Sequence, residues 1–389
     1  MKILYLTCWY PTDEQPGNGI FVREHARAAA KAGADVRVLQ IWPVYDPGTL
    51  WRTDIRNHEE GGIPTSSVLI RSRFHKAIYG NTPLMNLLAR RFYVEQVYTR
   101  FEPDLVHAHV IYQAGVMAWG LHRMHGLPYV ISEHWSKLDW YFNRPWFSYP
   151  AATVYKEAEA VMPVSDYLGV NIRGFVPDLQ PEQMPVVPNV VDTDLFYYKE
   201  QDEREGEGIE LLAVMNFTHE HKRPLVLLEA IAQLPDELQR HITLRLIGKG
   251  EGVVDDTEAL VKRYELEAEV IYDGFREKSY IADAMRRADF LVHPSERETF
   301  GVVVAEALCC GLPCIVSDRW ALPEHIGEDE DYLVPDNSAK AWRDVLQKNL
   351  AGEKNVDRTA LSETHRQRYA PGEVGQTLCR IYDQALNNS

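Results

Sequence analysis

The chain has 389 residues and an ordinary globular composition, with 45% hydrophobic and 11% aromatic residues. Residues 1–190 carry 18 basic and 18 acidic side chains, whereas residues 191–389 carry 23 and 39, so the net charge of −16 lies in the second half. An acidic half disfavours nucleic acid as a ligand. No apolar run approaches the ~18 residues that a membrane span requires. At roughly 150 residues per domain, the length predicts two domains.

Cysteine usage and the N-terminus bear on the compartment. The five cysteines are odd in number and include no Cys-x-x-Cys pair, which argues against a disulfide framework or a cysteine zinc site. The first residues, "MKILYLTCWYP", hold a short apolar run followed by proline and are typical of a buried strand rather than a signal peptide. We therefore expect a cytoplasmic protein.

The first half of the chain alternates short apolar runs with helical patterns. A strand at 2–9 precedes a helix at 20–33, and further strands are predicted at 35–42, 67–74, 105–110, 129–134 and 160–165. The segments 10–19 and 43–67 are predicted to be loops. Both exceed the usual connection length, which suggests function or mobility.

The pattern restarts after the charged stretch 199–210, with strands predicted at 211–217, 242–248, 270–275, 290–295, 314–318 and 331–335. Near-continuous apolar strands separated by helices predict parallel sheets covered on both faces. The fold class is therefore α/β with two doubly wound domains, and the boundary falls between about 181 and 208. Ligands of such sheets bind beyond the carboxyl ends of the strands.

Residues 71–100 form a basic region, in which one acid, Glu95, faces six bases: Arg71, Arg73, Lys76, Arg90, Arg91 and Arg100. One interpretation is a solvated helix face. The other is a patch that binds an anionic acceptor or docks the protein peripherally at the inner face of the membrane. The sequence leaves both open.

Two acids of "SERETFGVVVAEAL", Glu298 and Glu306, are separated by seven residues, and Glu306 interrupts an apolar run. A carboxylate is almost never fully buried without a partner. We expect Glu298 in the loop before a helix and Glu306 inside that helix, where they could hold two ends of one elongated polar ligand. The alternative is that Glu298 is a first-turn acid favoured by the helix dipole and that Glu306 is simply exposed. This alternative accounts for Glu298 but not for Glu306, which lies in an apolar run.

The segment "HPSERETFGVVVAEALCCGLPCIVSD" resembles the signature of the family 4 glycosyltransferases, retaining enzymes of the GT-B fold, whose hallmark is this glutamate pair. Further motifs fit in order at 103–109, 164–172, 186–196, 221–234 and 244–252, so the resemblance spans nearly the whole chain. It implies two Rossmann-like parallel-sheet domains facing a central cleft. The first is an acceptor-side domain at 1–185, on which a C-terminal helix at 373–389 packs back, and the second is a donor-binding domain at 186–372.

The resemblance also implies roles for individual residues. Glu298, His109 and Lys222 would be catalytic: Glu298 contacts the donor sugar, His109 reaches the sugar and phosphate, and Lys222 neutralises the diphosphate leaving group. Glu306 would bind the ribose. The remaining donor-binding positions are Arg223, Phe300, Gly301, Gly248, Gly19 and Ser295.

Several features depart from that pattern or compete with it. The arginine that the family often has before the lysine is replaced in "VMNFTHEHK", so the phosphate contacts would depend on Lys222 and Arg223, with His219 or His221 nearby. His107 and His109 are taken to face opposite sides of their strand, and His109 is chosen because it lies nearer the strand end. His134 also follows a strand. The Asp-x-Asp at 192–194 resembles a metal motif but lies in a linker, and we expect no metal.

Together these features predict a retaining, metal-independent glycosyltransferase of cell-surface polysaccharide or glycoconjugate biosynthesis. It would move a hexosyl-type sugar from a nucleotide-diphosphate sugar to a saccharide or lipid-linked acceptor. No cofactor is expected, because the nucleotide sugar is a substrate. Two alternatives remain: a GT-B nucleotide-sugar 2-epimerase, and a catalytically silent subunit that only binds the nucleotide sugar.

Overall fold

A computed structural model of the chain describes residues 1–200, 208–327, 329–351 and 356–388. The chain forms two compact units: unit 1 comprises Met1–Val190 and Pro371–Ser389, and unit 2 comprises Val191–Ala370. The unit boundaries thus lie five residues after and two residues before the positions expected from sequence. Most of the charged stretch 199–210, namely 201–207, lies outside the described residues.

The described residues of unit 1 form a seven-stranded sheet in the order β3-β4-β2-β1-β5-β6-β7. All neighbouring strands are parallel except β3 and β4. The strands are β1 (Lys2–Thr7), β2 (Asp35–Tyr45), β3 (Arg52–Glu60), β4 (Ile63–Ser72), β5 (Leu105–His109), β6 (Tyr129–Glu133) and β7 (Ala160–Pro163).

The loop predicted at 43–67 is wrong, because most of it is sheet. β3 and β4 form an antiparallel hairpin whose turn holds Gly61 and Gly62 at φ +59° and +83°, the left-handed backbone that tight hairpin turns need. β3 reads "RTDIRNHEE" and is largely solvent-exposed. Its polar sequence lacks the apolar run by which the other strands were found.

Nine helices accompany this sheet in the described part of unit 1. They are α1 (Ile20–Lys31), α2 (His75–Tyr79), α3 (Thr82–Phe92), α4 (Val116–His125), α5 (Leu138–Phe142), α6 (Pro145–Ser148), α7 (Ala151–Lys156), α8 (Asp166–Phe175) and α17 (Pro371–Asn388). A short π-helical turn lies at Tyr93–Tyr98 and a 3-10 turn at Pro181–Gln183. Ile111–Gly115 forms an irregular turn, in which Tyr112 and Gln113 have non-helical backbone angles.

Helix α17 is part of the core of unit 1. Its apolar stripe of Leu378, Ile381, Tyr382 and Ala385 packs with residues of β1 and α1. The Tyr382 hydroxyl lies 2.8 Å from that of Tyr5. α17 also lies close to α1 at Gly375, where a Cβ would be only 2.1 Å from the Ala28 carbonyl oxygen.

The described residues of unit 2 form a six-stranded parallel sheet in the order β10-β9-β8-β11-β12-β13. Its strands are β8 (Ile209–Val214), β9 (Ile242–Ile247), β10 (Glu269–Gly274), β11 (Phe290–His293), β12 (Cys314–Ser317) and β13 (Leu333–Val334). Its helices are α9 (Leu225–Ile231), α10 (Asp236–Gln239), α11 (Thr257–Tyr264), α12 (Lys278–Arg287), α13 (Val302–Cys309), α14 (Pro323–Ile326), α15 (Ala339–Leu350) and α16 (Arg358–Tyr369), with 3-10 turns at Glu220–Lys222 and Glu330–Tyr332.

Parallel strands align their carboxyl ends at one edge of each sheet. In unit 2 that edge carries the loops after β8, β9, β10, β11 and β12, and in unit 1 the segments after β1, β5 and β6. Most of the predicted site residues lie in or beside these segments.

Candidate active site

The glutamate pair of unit 2 lies on a loop and the helix that follows it, as expected. β11 ends at His293, a loop carries Glu298, and α13 begins at Val302 and contains Glu306. Gly301 caps this helix at φ +85°. A Cβ there would lie 2.8 Å from Leu322, so the residue combines a left-handed backbone with close packing that only glycine meets at no cost.

Two cationic or donor groups hold Glu298. Lys222 Nζ and His293 Nε2 both contact Oε1, the histidine at 3.0 Å. Burial would raise the pKa of Glu298, but the hydrogen bond from His293 and the charge of Lys222 outweigh it and hold the pKa far below its ordinary value. The carboxylate therefore stays ionised, and it orients the Lys222 ammonium.

Glu306 meets the partner that its burial demands, Lys278 of α12, at 2.9 Å between Nζ and Oε1. The Glu306 side chain is 8% exposed and that of Lys278 51%. Burial raises the pKa of Glu306, and the nearby lysine offsets this only in part. The pKa values of the two glutamates are thus shifted in opposite directions.

Arg223 lies beside Lys222 but is engaged elsewhere. Its Nη1 donates to Glu296 Oε1 at 2.9 Å, and that carboxylate also accepts from Asn337 at 2.8 Å. Arg223 has a left-handed backbone, with φ +48°. Its side chain is 43% exposed, so its guanidinium faces an acid within unit 2 and also reaches solvent.

Ser295 and Phe300 are buried framework residues of the same loop. Ser295 Oγ lies 3.5 Å from the Arg297 backbone nitrogen, and the Ser295 carbonyl accepts from Ser317. The Phe300 ring packs edge-on against His325 and Tyr369, with centroids 4.9 and 5.5 Å away. Both side chains are buried and support the loop from inside.

A cavity of about 300 Å³ opens where β8, β9 and β10 end. Gly248 lines it at φ +144°, and a Cβ there would lie 1.8 Å from the Met215 carbonyl oxygen. The other lining residues are mostly apolar with two cations: Val214, Met215, Asn216, Ile247, Lys249, Phe275, Arg276 and Ile281. Phe275 is 68% exposed, which makes its ring available to a flat ligand.

Two predicted site residues, His109 and Gly19, belong to unit 1. Gly19 is the N-cap of α1 at φ +67°. A Cβ there would lie 2.2 Å from the Trp9 carbonyl oxygen, so the α1 terminus passes directly against the segment after β1. His109 is the last residue of β5 and is 1% exposed.

The prediction that His107 and His109 face opposite sides is wrong. Their rings stack at 4.2 Å between centroids, because strand side chains alternate and positions two apart share a face. They differ in hydrogen bonding instead. His107 contacts the Tyr382 hydroxyl at 2.7 Å and Ser132 at 2.8 Å, whereas His109 Nδ1 lies 3.2 Å from His134 Nε2.

Sequence reasoning missed two residues that complete the unit 2 site, His293 and Lys278. His293 follows the rule that polar residues at strand ends are candidates, since it is the last residue of β11. Lys278 carries no signal of its own in the sequence. The Asp-x-Asp at 192–194 forms a local turn, in which the Asp194 backbone nitrogen donates to Asp192 Oδ1 at 3.2 Å.

Within the part of the chain that the structure describes, no helix combines the length and the apolar character needed to cross a bilayer.

Comparison with known proteins accounts for both halves of the chain. Residues 17–195 match the model of "Glycosyltransferase Family 4", and residues 198–368 match "Glycosyl transferases group 1". A protein named for teichuronic acid biosynthesis, the glycosyltransferase TuaC of Bacillus subtilis (strain 168), is 25% identical over 368 residues, which cover 89% of this chain and 88% of TuaC.

Solved structures agree on the fold. Sucrose-phosphate synthase from Thermosynechococcus elongatus aligns with a TM-score of 0.73 at 20% identity over 100% of both chains. Anabaena HepE in complex with UDP and glucose aligns with a TM-score of 0.69 at 18% identity over 98% of this chain and 99% of that one. These are GT-B structures, and the predicted fold class is confirmed. The two family matches together span most of the chain and support a group 1 glycosyltransferase.

Proposed function

We propose that the chain transfers a hexosyl-type sugar from a nucleotide-diphosphate sugar to a saccharide or lipid-linked acceptor, with retention of anomeric configuration. The observation that carries this is the glutamate pair of unit 2, in which each carboxylate has its own lysine. TuaC, whose name refers to teichuronic acid biosynthesis, supports a role in cell-surface polysaccharide or glycoconjugate synthesis.

The nucleotide would lie along the carboxyl edge of the unit 2 sheet. Its base would enter the cavity beside Gly248 and Phe275, where an aromatic ring and apolar walls suit a flat heterocycle. Its ribose hydroxyls would donate to Glu306. The Glu306 carboxylate is held by one lysine, and its second oxygen can accept further hydrogen bonds.

The diphosphate would lie against Lys222. Breaking the anomeric C–O bond leaves negative charge on the departing phosphate, and a pre-positioned cation stabilises that charge more in the transition state than in the ground state. Glu298, which is itself contacted by His293, holds Lys222 in place. A lysine so placed would supply the positive charge that a metal supplies elsewhere, so we propose chemistry without a catalytic metal or a cofactor.

Retention follows in this proposal from front-face attack, with the leaving phosphate taking the proton of the acceptor hydroxyl. No separate general base is then required. Gly19 of unit 1 would bind an anionic group through the backbone N–H groups at the start of α1, which favour anions.

The test is incubation of the purified chain with a panel of nucleotide sugars, beginning with UDP-glucose because HepE was solved with UDP and glucose. Binding at 100-fold over Kd should add about 2.7 kcal/mol to the stability of the chain. Nuclear magnetic resonance of the product should show the anomeric configuration of the donor in the new linkage. If the donor is isomerised in the absence of an acceptor, the chain is an epimerase. If the chain binds the donor but does not slowly hydrolyse it, the chain is a catalytically silent subunit.

A further inference from the structure

Three histidines converge inside unit 1 from three different elements. His25 comes from α1, His109 ends β5, and His134 follows β6, and one ring nitrogen from each lies within 4.8 Å of the others. They are 0%, 1% and 8% exposed. Sequence reasoning considered His109 and His134 separately and did not consider His25.

The rings are neutral and therefore able to bind a cation. Burial lowers the pKa of His25 to about 4. Burial, reinforced by the neighbouring histidines, also holds the pKa of His109 and His134 well below the ordinary value. A neutral imidazole keeps one nitrogen lone pair, which makes it the commonest metal ligand among protein side chains.

The outer contacts of two of the three histidines, His25 and His134, resemble those of metal-bound histidines. His25 Nε2 lies 3.0 Å from the Pro188 carbonyl oxygen, and because a carbonyl only accepts, this nitrogen carries the proton. Nδ1 then holds the lone pair, and it has no hydrogen-bond partner. The side chain of Asn189, the residue after Pro188, interacts with His134. Metal-ligating histidines almost always donate their second N–H to such groups.

The framework that carries His134 is rigid. The buried carboxylate of Glu133 accepts from the backbone nitrogens of His134 and Trp135 at 3.0 and 2.9 Å. It also accepts from the Ile111 nitrogen at 2.9 Å and from the Tyr155 hydroxyl at 2.8 Å. This one side chain thus ties the segment that follows β5, whose last residue is His109, to the segment that follows β6 and begins with His134.

The distances suit a tetrahedral ion. Zinc–nitrogen bonds of about 2.0–2.1 Å place two ligand nitrogens about 3.3 Å apart. His109 Nδ1 and His134 Nε2 already stand 3.2 Å apart. The His25 ligand atom would have to move inward by about 1.5 Å at most, given the 4.8 Å limit on the present spacing.

We propose that His25, His109 and His134 form a site for one divalent transition-metal ion of the zinc class, with a water or an anionic oxygen in the fourth position. Three imidazoles favour Zn²⁺, Co²⁺, Ni²⁺ or Cu²⁺ over Mg²⁺ and Ca²⁺, which prefer oxygen ligands. A bound ion would cross-link α1, β5 and the segment after β6. An ion on His109 would compete with the donor contact that the family resemblance implies for this residue, so the binding test uses the chain without a nucleotide sugar.

Titration of the chelator-treated full-length chain with Co²⁺ tests the proposal. The visible absorption of tetrahedral Co²⁺ should saturate at one ion per chain, and Zn²⁺ but not Mg²⁺ should abolish it. Loss of an outer-shell partner costs about 10–100-fold in metal affinity, so removal of a ligand in His25→Gln or His134→Gln should weaken binding at least 100-fold. His219→Gln, which alters an exposed histidine of unit 2, should bind Co²⁺ as the unaltered chain does.

Equal Co²⁺ affinity in the unaltered chain and in folded His25→Gln and His134→Gln would overturn the proposal, as would loss of the signal in His219→Gln. If the buried substitutions prevent folding, X-ray absorption of the Zn²⁺-loaded unaltered chain replaces them. A shell of three imidazole nitrogens and one oxygen supports the site, and a shell containing sulfur or only oxygen refutes it.

Discussion

Lys278 Nζ donates to Glu306 Oε1 at 2.9 Å, whereas Lys222 and His293 share Glu298 Oε1. The two glutamates stand eight positions apart, yet their environments move the two pKa values in opposite directions. Glu298 is held as a firm anion that positions a cation. Burial raises the pKa of Glu306 despite its cationic partner, and additional hydrogen-bond donors from a ligand would stabilise its ionised form.

The first prediction concerns Glu306. Replacement by alanine should weaken nucleotide binding by about 1–3 kcal/mol, because ribose hydroxyls would lose their acceptor. Calorimetric titration with UDP and the other nucleoside diphosphates measures this. Glu277→Ala is the matched control, since it removes an exposed acid that makes no capping hydrogen bond at the start of α12. Equal affinities in the Glu306 variant and the unaltered chain would remove the ribose role.

The second prediction concerns Lys222. Lys222→Ala should lower kcat about 100-fold to 1000-fold, the usual cost of losing one preorganised group that stabilises transition-state charge. Steady-state kinetics with the donor found in the panel supplies the measurement. Lys262→Ala removes an exposed lysine of α11 and should be neutral. An effect on KM alone would show that Lys222 contributes only uniform binding.

The position of the glutamate pair could be predicted, because a loop followed by an apolar helix is visible in consecutive residues. The partner of Glu306 could not, since Lys278 lies 28 residues earlier and reaches it only through the packing of α12 on α13. The position of His25 beside His109 and His134 could not be predicted for the same reason, because these residues are far apart in the sequence. β3 was missed because an exposed edge strand has no apolar pattern.

The third prediction concerns whether turnover requires a metal ion and, separately, whether the histidine cluster of unit 1 affects turnover. Turnover should persist in EDTA, because Lys222 supplies the positive charge at the leaving group. Activity assays with and without chelator check this. Loss of turnover that Mg²⁺ or Mn²⁺ restores would contradict metal-independent chemistry. Loss that only Zn²⁺ or Co²⁺ restores would instead connect activity to the histidine cluster of unit 1.

The fourth prediction is that the free energy of unfolding decreases at acidic pH because of His25 in unit 1. The pKa of His25 is lowered to about 4 in the folded chain, against about 6.5 when unfolded. As the pH falls, His25 is therefore protonated in the unfolded state before it is protonated in the folded state. The contribution of His25 to stability is fully present above pH 6.5 and is lost as the pH falls towards 4. The slope is about 1.4 kcal/mol per pH unit for this histidine.

Urea unfolding between pH 7 and pH 5 measures that slope, and His25→Gln should reduce it by the same amount. The control variant is His241→Gln, which alters an exposed histidine of unit 2. An unchanged slope in His25→Gln would mean that His25 does not titrate differently in the two states.

The last prediction concerns the basic region 71–100, whose charges the structure divides into two groups. Arg71 is 18% exposed and contacts Glu14 and Asp54, and Arg91 pairs with Glu95 at 2.8 Å. Arg73 and Arg90 are exposed. Exposed apolar side chains lie in the same region, namely Phe74, Leu87, Val94 and Tyr98. Cations with apolar neighbours are the composition that binds anionic lipid surfaces.

We therefore expect the chain to cosediment with anionic liposomes at low salt and to be released as salt rises from 0.01 M to 1 M, where the Debye length falls from about 30 to about 3 Å. Arg73→Ser with Arg90→Ser should weaken binding by about 2 kcal/mol, at about 1 kcal/mol per charge near the surface. Arg240→Ser with Arg263→Ser removes the same charge from unit 2 and should have no such effect. If the unaltered chain stays in the supernatant at 0.01 M salt, the region is a solvated helix face, and the acceptor must be recognised without a membrane.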